Sequence, residues 1–221
     1  MSITVQDILD RVTDLLLDKD RGADEARWLD EELLRWINDS RMAIITRKPS
    51  ACSKVTVVPL VAGCHQTIPS NGVQLLDIIC NMGMDGATPG RSIRRTDRQN
   101  LDDDDLYWQS ATPKVEISQF TYDDRTPKDY FVSPPAKAGT QIKISHAAIP
   151  DAVTSPSDTL DIGLEVMDAV VNYVAFRAKS KDSQYANAAE AAGFYSAFGD
   201  ALGVQTQTQA AASPNQPGNS V

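Results

Sequence analysis

The sequence predicts an α+β fold: N-terminal and C-terminal helices forming a bundle, with an inserted small antiparallel β domain and an extended C-terminal tail. Three observations predict it. Apolar residues recur with a helical period near both ends of the 221-residue chain. Between them the period drops to that of half-buried strands, punctuated by turn residues. After Gly203 no apolar period remains, and Gln, Ala, Ser, Pro and Asn take over. The expected organisation is residues 1–49 (N-terminal helices), 50–150 (inserted β domain), 151–203 (a C-terminal helical pair completing the bundle) and 204–221 (an extended arm).

The first helix is read from Val5, Ile8, Leu9, Val12, Leu15 and Leu16, which share one face. Thr4 is its expected cap, and Asp7, three residues on, forms a weaker version of the capping box. Lys19 to Ala26 is charged, carries Gly22 and reads as a loop. The next helix has Trp28, Leu29, Leu33, Trp36, Ile37, Ile44 and Ile45 as its apolar stripe. Glu31, Glu32, Arg35, Asp39 and Arg41 are expected on the opposite side, and Pro49 ends it. Its two tryptophans are expected to anchor the core.

From Lys54 the pattern alternates. Strands are expected at Lys54–Leu60, Gly63–Pro69, Val73–Cys80, Ser92–Arg95, Lys114–Tyr122, Asp129–Val132 and Thr140–Ala147. Ser70-Asn71-Gly72 supplies a tight turn. Asn81 to Gly90, rich in glycine, reads as an exposed loop, and Thr96 to Asp105 as a short capped helix.

Pro150 to Pro156 reads as a linker. Asp158 is the expected N-cap of a helix carrying Leu160, Leu164, Met167, Val170, Val171, Tyr173, Val174 and Phe176. Arg177, Lys179 and Lys181 crowd its C-terminal end, where cations suit the helix dipole. A second helix is expected from Asp182 or Ser183, with Tyr185, Ala188, Ala189, Ala192, Tyr195, Phe198 and Leu202 along one side.

A helical pair followed by an arm with nothing to fold around suits docking better than catalysis. The expected protein interface therefore lies at Tyr173, Arg177, Tyr185 and Tyr195 on the pair. On the arm it continues at Val204, Gln205, Gln207, Pro214, Pro217 and Val221.

Composition and motifs exclude much else. A formal net charge of −9 disfavours general DNA binding, which needs clustered cations to displace counterions. The same charge would let DNA slide past. No signal peptide or membrane span is read from the sequence, so no membrane partner is expected. Cys52, Cys64 and Cys80 lack any metal-like spacing and read as reduced thiols. His65 and His146 have no ligating neighbours, and Cys64 and His65 should point to opposite strand faces. No cofactor is expected. Arg91, Arg94, Arg95 and Arg98 form the one basic cluster, expected to pair with Asp97, with Asp102 to Asp105 or with another subunit. The run Asp102-Asp103-Asp104-Asp105 fits a solvated helix end, because consecutive helical residues point in different directions. An alternative class is a virion-associated glycan or peptidoglycan hydrolase using these carboxylates and Glu116.

Four motifs, in order, carry a resemblance. They are WLDEELLRWIND (28–39), PLVAGCHQTIP (59–69), DYFVSPP (129–135) and YVAFRAKSKD (173–182). The last continues into Asn187-Ala188 and Phe198. The ordered set resembles the head–tail adaptor (connector) proteins of tailed bacteriophages. That resemblance implies a structural protein of the virion, not an enzyme, made in the host cytoplasm and placed at the head–tail junction. It implies a ring of about twelve copies, closed by heterologous contacts between neighbours. Its partners would be further copies of itself, the portal protein and a tail tube or nozzle protein, with DNA passing through the channel. A hexameric tail completion protein is a second alternative. The resemblance stops short of the C-terminal arm.

Overall fold

The computed structural model describes residues 3–18, 27–181 and 186–212. Residue contacts divide the chain into two compact units. One draws on both ends of the chain, up to Ala51 and from Pro150 onward; the other is Cys52–Ile149.

The helical unit begins with a two-residue strand, β1 (Ile3–Thr4), and α1 (Val5–Leu16). Thr4 caps α1 in a full capping box: its hydroxyl accepts from the Asp7 N–H, and the Asp7 carboxylate accepts from the Thr4 N–H. Val5, Ile8, Leu9, Val12 and Leu16 are buried along one stripe. Two further N-terminal amides, of Val5 and Gln6, donate to the carbonyls of Asp158 and Pro156. The start of α1, whose first amides have no partner within the helix, is thus completed by a distant stretch of chain.

In α2 (Asp30–Arg47), Leu33, Ile37, Ile44 and Ile45 are buried. Asp30, Glu31 and Glu32 occupy the first turn, where the helix dipole favours anions. Trp28 is buried as expected but precedes the helix, and Leu29 is exposed instead of joining the stripe. Arg41, expected on the solvent side, is buried: it stands four residues from both Ile37 and Ile45, on the apolar stripe itself. Its guanidinium donates to the Asp151 carbonyl at 2.8 Å and to Asn38 Oδ1 at 3.2 Å. Asn38 in turn holds Val153 through both backbone polar groups, at 2.9 and 3.0 Å. The 150–156 stretch is therefore laced to α2 rather than acting as a free linker.

The expected helix start at Asp158 is corrected. Asp158 Oδ2 accepts from the Thr154 and Ser155 amides, which closes a turn, and β10 (Thr159–Leu160) pairs antiparallel with β1. A 3-10 turn at Leu164–Val166 leads into α4 (Met167–Ser180), and Leu164 is exposed. The edge of β1 recruits Thr159 and Leu160 as a strand, which overrides their helical spacing. Met167, Ala169, Val170, Val171, Val174, Ala175 and Ala178 are buried on α4, which touches α1, α2 and α5. A helix apolar over most of its circumference belongs at the centre of a bundle.

The last helix, α5 (Ala188–Ala212), also differs from expectation. It starts at Ala188, where Asn187 Oδ1 accepts from the Ala189 and Glu190 amides. The alternative starts at Asp182 and Ser183, and Tyr185 with them, lie outside the described residues. Ala191, Phe198 and Leu202 are its buried positions, whereas Ala188, Ala189 and Ala192 are exposed. The helix continues past Gly203 to Ala212. Ala and Gln sustain a helical backbone by propensity even without an apolar stripe.

The second unit holds two four-stranded sheets among the described residues, ordered β2-β9-β4-β5 and β3-β8-β7-β6. Their strands are β2 (Ser53–Pro59), β3 (Gly63–Thr67), β4 (Gly72–Met82), β5 (Pro89–Ser92), β6 (Arg94–Arg95), β7 (Gln119–Tyr122), β8 (Asp129–Ala136) and β9 (Gln141–Ala148). Pairing is antiparallel except between β6 and β7. Leu75, Ile78, Ile142 and Ile144 from one sheet meet Phe120, Tyr130, Val132 and Ala136 from the other in one core. The short α3 (Arg98–Asp104) lies between β6 and β7, two strands of the same sheet. The expected strand at Lys114–Tyr122 is trimmed to Gln119–Tyr122, and the expected loop at Asn81–Gly90 is shortened, since Asn81 and Met82 end β4 and Pro89 and Gly90 begin β5.

Candidate functional site

The helical unit carries an open aromatic groove. Tyr173 and Phe176 stand one turn apart on α4, and Tyr195 and Phe198 one turn apart on α5, so the two helices present matching pairs. The rings form a closed circuit. Their centroids lie 5.9 Å apart from Tyr173 to Phe176, 4.8 Å from Phe176 to Tyr195, 6.1 Å from Tyr195 to Phe198 and 5.2 Å from Phe198 to Tyr173. Phe198 forms the buried floor, and Tyr195 is 42% exposed. The third wall is α2, with Asp39, Met42, Ala43, Thr46 and Arg47. The groove has a volume of about 520 Å³.

Charge sits at the rim. The Arg47 guanidinium donates to the Tyr195 hydroxyl and lies over two rings, 5.0 Å from the Tyr195 centroid and 4.8 Å from that of Phe198. Arg177 pairs with Asp39 at 3.7 Å. Burial raises the Tyr173 phenol above its ordinary pKa, with Arg177 opposing and Asp39 adding to the shift. The Tyr173 side chain thus stays a neutral donor. A surface of flat rings edged by Tyr and Arg donors suits an uncharged extended peptide or a partner side chain.

Of the residues expected at an interface, the structure brings Tyr173, Arg177 and Tyr195 to this groove or its rim. Val204, Gln205 and Gln207 fall on the last turns of α5. Tyr185, Pro214, Pro217 and Val221 lie outside the described residues. Arg47, Asp39 and Met42 are not among the expected interface residues: the sequence predicts that the terminal helices form one bundle, but not which face of α2 meets α4 and α5. The paired aromatic spacings, 173/176 and 195/198, are the signal that points to the groove.

The acidic run makes a different arrangement. Asp102 accepts from the Trp108 indole N–H at 2.8 Å and pairs with Arg98 at 3.5 Å. Asp105 accepts from the Tyr107 amide at 2.8 Å, and Asp103 to Asp105 are exposed. Glu116 pairs with Arg91 at 3.5 Å. These carboxylates serve local turns and ion pairs, so the hydrolase alternative has no shared site at these residues. His65 meets Asp129 at 3.1 Å beside the Phe131 ring. The described residues hold no cluster of three or more His, Cys, Asp or Glu able to bind a metal ion. Cys52, Cys64 and Cys80 are not joined in disulfides. None of the described helices is long and apolar enough to cross a membrane.

Residues 3–218, nearly the whole sequence, match the SU10 adaptor protein family. The chain belongs to that family. It is therefore a head–tail adaptor protein of the kind its four motifs resemble, with a structural role in a virion. No curated protein matches the adaptor chain. Among solved structures, a chain in the "Neck of empty GTA particle computed with C6 symmetry" is similar at 17% identity. The likeness covers 82% of the adaptor and 80% of that chain, with a TM-score of 0.27.

Proposed function

We propose that this adaptor forms a ring at the head–tail junction, joining the portal to the tail and lining a passage for DNA. The observation that carries the reading is the family match over residues 3–218. Other features agree with it. The net charge of −9 disfavours a grip on DNA phosphates. The aromatic groove gives the helical unit a surface suited to a protein partner. In this reading the groove and the C-terminal segment from Gly203 onward make contacts to neighbouring copies or to the portal. Docking a segment costs conformational entropy, which ring multiplicity offsets by raising the effective concentration of each later contact.

The test is truncation after Leu202. The shortened chain should keep the melting transition of the intact protein and lose from its circular dichroism only the helical signal of residues 203–212, while its binding to portal-bearing heads falls. Normal binding of the truncated chain would remove the docking role of the C-terminal segment. The mass of the assembled ring separates about twelve copies from a hexamer.

A further inference from the structure

We propose that the aromatic groove is the seat for a Pro-x-x-Pro segment, Pro214-Asn215-Gln216-Pro217, donated by a second copy of this chain. The inference rests on the ring reading, since the ring is what places copies side by side.

Chemistry on both sides supports the match. The segment from Ser213 to Val221 contains no charged side chain and has two prolines three residues apart. That spacing is one turn of a polyproline II helix, about 9 Å long, which puts both pyrrolidine rings on one edge. Such a helix makes no internal hydrogen bonds, so its carbonyls need outside donors. The groove provides both requirements: the accessible rings of Tyr173, Phe176 and Tyr195, successively 5.9 and 4.8 Å apart, for the prolines to lie on, and Arg47 and Tyr195 donors at the rim. Aromatic-lined grooves are the usual seats for such segments because little chain entropy is lost on binding.

Reach decides which copy donates. Phe198 and Ala212 lie on the same helix, α5, and are separated along it by about 21 Å at ~1.5 Å per residue. Pro214 is two residues beyond Ala212 and extends at most about 7 Å from the helix end. Even folded straight back, it falls well short of its own groove. The segment can seat both prolines only in another molecule. A heterologous contact of this kind, from the arm of one copy to the groove of the next, is what closes a ring by rotation.

The test uses the full chain and a fluorescent peptide covering Ser213 to Val221, with binding read by anisotropy. Saturable binding is expected. Tyr195→Ser should weaken it about tenfold or more, as for a central anchor. A peptide with both prolines replaced by alanine should weaken it to a similar degree. Thr46→Arg, at an exposed wall position away from the core, should block the groove without disturbing the fold. Effective concentrations between linked sites lie in the millimolar range, so no saturation up to about 5 mM would overturn the proposal. Binding that ignores Tyr195→Ser, Thr46→Arg and the proline replacements would overturn it as well. Mass spectrometry of purified particles separates the two readings. If the chain is present in particles but does not bind the peptide, only the groove proposal fails. If it binds the peptide but is absent from particles, the adaptor-ring reading fails.

Discussion

Asn81 shows how much one side chain can hold. It is 5% exposed, near the end of β4. Its amide nitrogen donates to the Arg91 carbonyl at 2.9 Å and to the Ile117 carbonyl at 2.8 Å. Its carbonyl oxygen accepts from the Ile117 amide at 2.8 Å. Ile117 itself is fully buried, so water cannot substitute there. Asn81→Ala should therefore leave buried backbone groups unpaired and cost about 3 kcal/mol, read as a lower urea midpoint. In the sequence this residue opens a glycine-rich stretch and reads as the start of a loop. Its partner lies 36 positions away, and no local pattern reports such a contact. Arg41 was illegible for a different reason: its charge suggests solvent, although its spacing of four from both Ile37 and Ile45 puts it on the buried stripe, where its guanidinium donates to the distant Asp151 carbonyl.

Elements were legible where their stability comes from a repeating face, and obscure where a neighbour decides. In α1, five buried residues on one stripe and the Thr4–Asp7 box are both local, and both could be read from the sequence. The strands of the second unit were legible as alternations, except where register shifts occur. β4 slips against β9 between Gly72 and Gln74, Leu75 and Asp77, and Ile78 and Cys80, which blurs its period of two. The entry to α4 and the end of α5 were not legible. The first depends on β1 capturing β10, and the second on propensity where the sequence shows no apolar period. The groove falls between these cases: its aromatic pairs were visible, but the α2 wall was not. The capping box allows a direct check on α1. Thr4→Ala should lower stability by about 1 kcal/mol in thermal or urea unfolding at neutral pH. Hydrogen bonds from Thr4 hold the Asp7 carboxyl below its ordinary pKa. A depressed carboxylate pKa stabilises the fold above the unfolded value of 3.8 and loses that contribution as pH falls through the folded value. The gap between wild type and Thr4→Ala should accordingly narrow in acid.

At the scale of the whole molecule, the chain leaves one unit at Ala51, builds another, and returns at Pro150. The second unit has the properties of an independent insertion. Its two ends are neighbours, because Ser53 pairs with Ala147 across β2 and β9. Its core is its own: every buried member of that cluster, from Leu60 to Ile144, lies inside the unit. The helical unit likewise draws its core from both chain ends, with none from between Cys52 and Ile149 among the buried members of its cluster. At roughly 100 residues the inserted unit is of ordinary domain size and large enough to bury a stable core. A fragment covering Cys52 to Ile149 should therefore fold alone, with a cooperative thermal transition and a strand-type circular dichroism spectrum. Asn81→Ala should destabilise this fragment, whereas Thr4→Ala in the full chain should leave its unfolding signals unmoved. Ser53 and Ala147 are a strand pair, about 5 Å apart, and Ala51 and Pro150 lie only two and three residues beyond them, within reach of a short Gly-Ser bridge. The bridged helical unit should keep its helical spectrum and still bind the Ser213–Val221 peptide in its groove. A fragment or bridged chain that is unfolded in isolation would show that the two cores depend on each other, and that the division of the chain is one of contacts only.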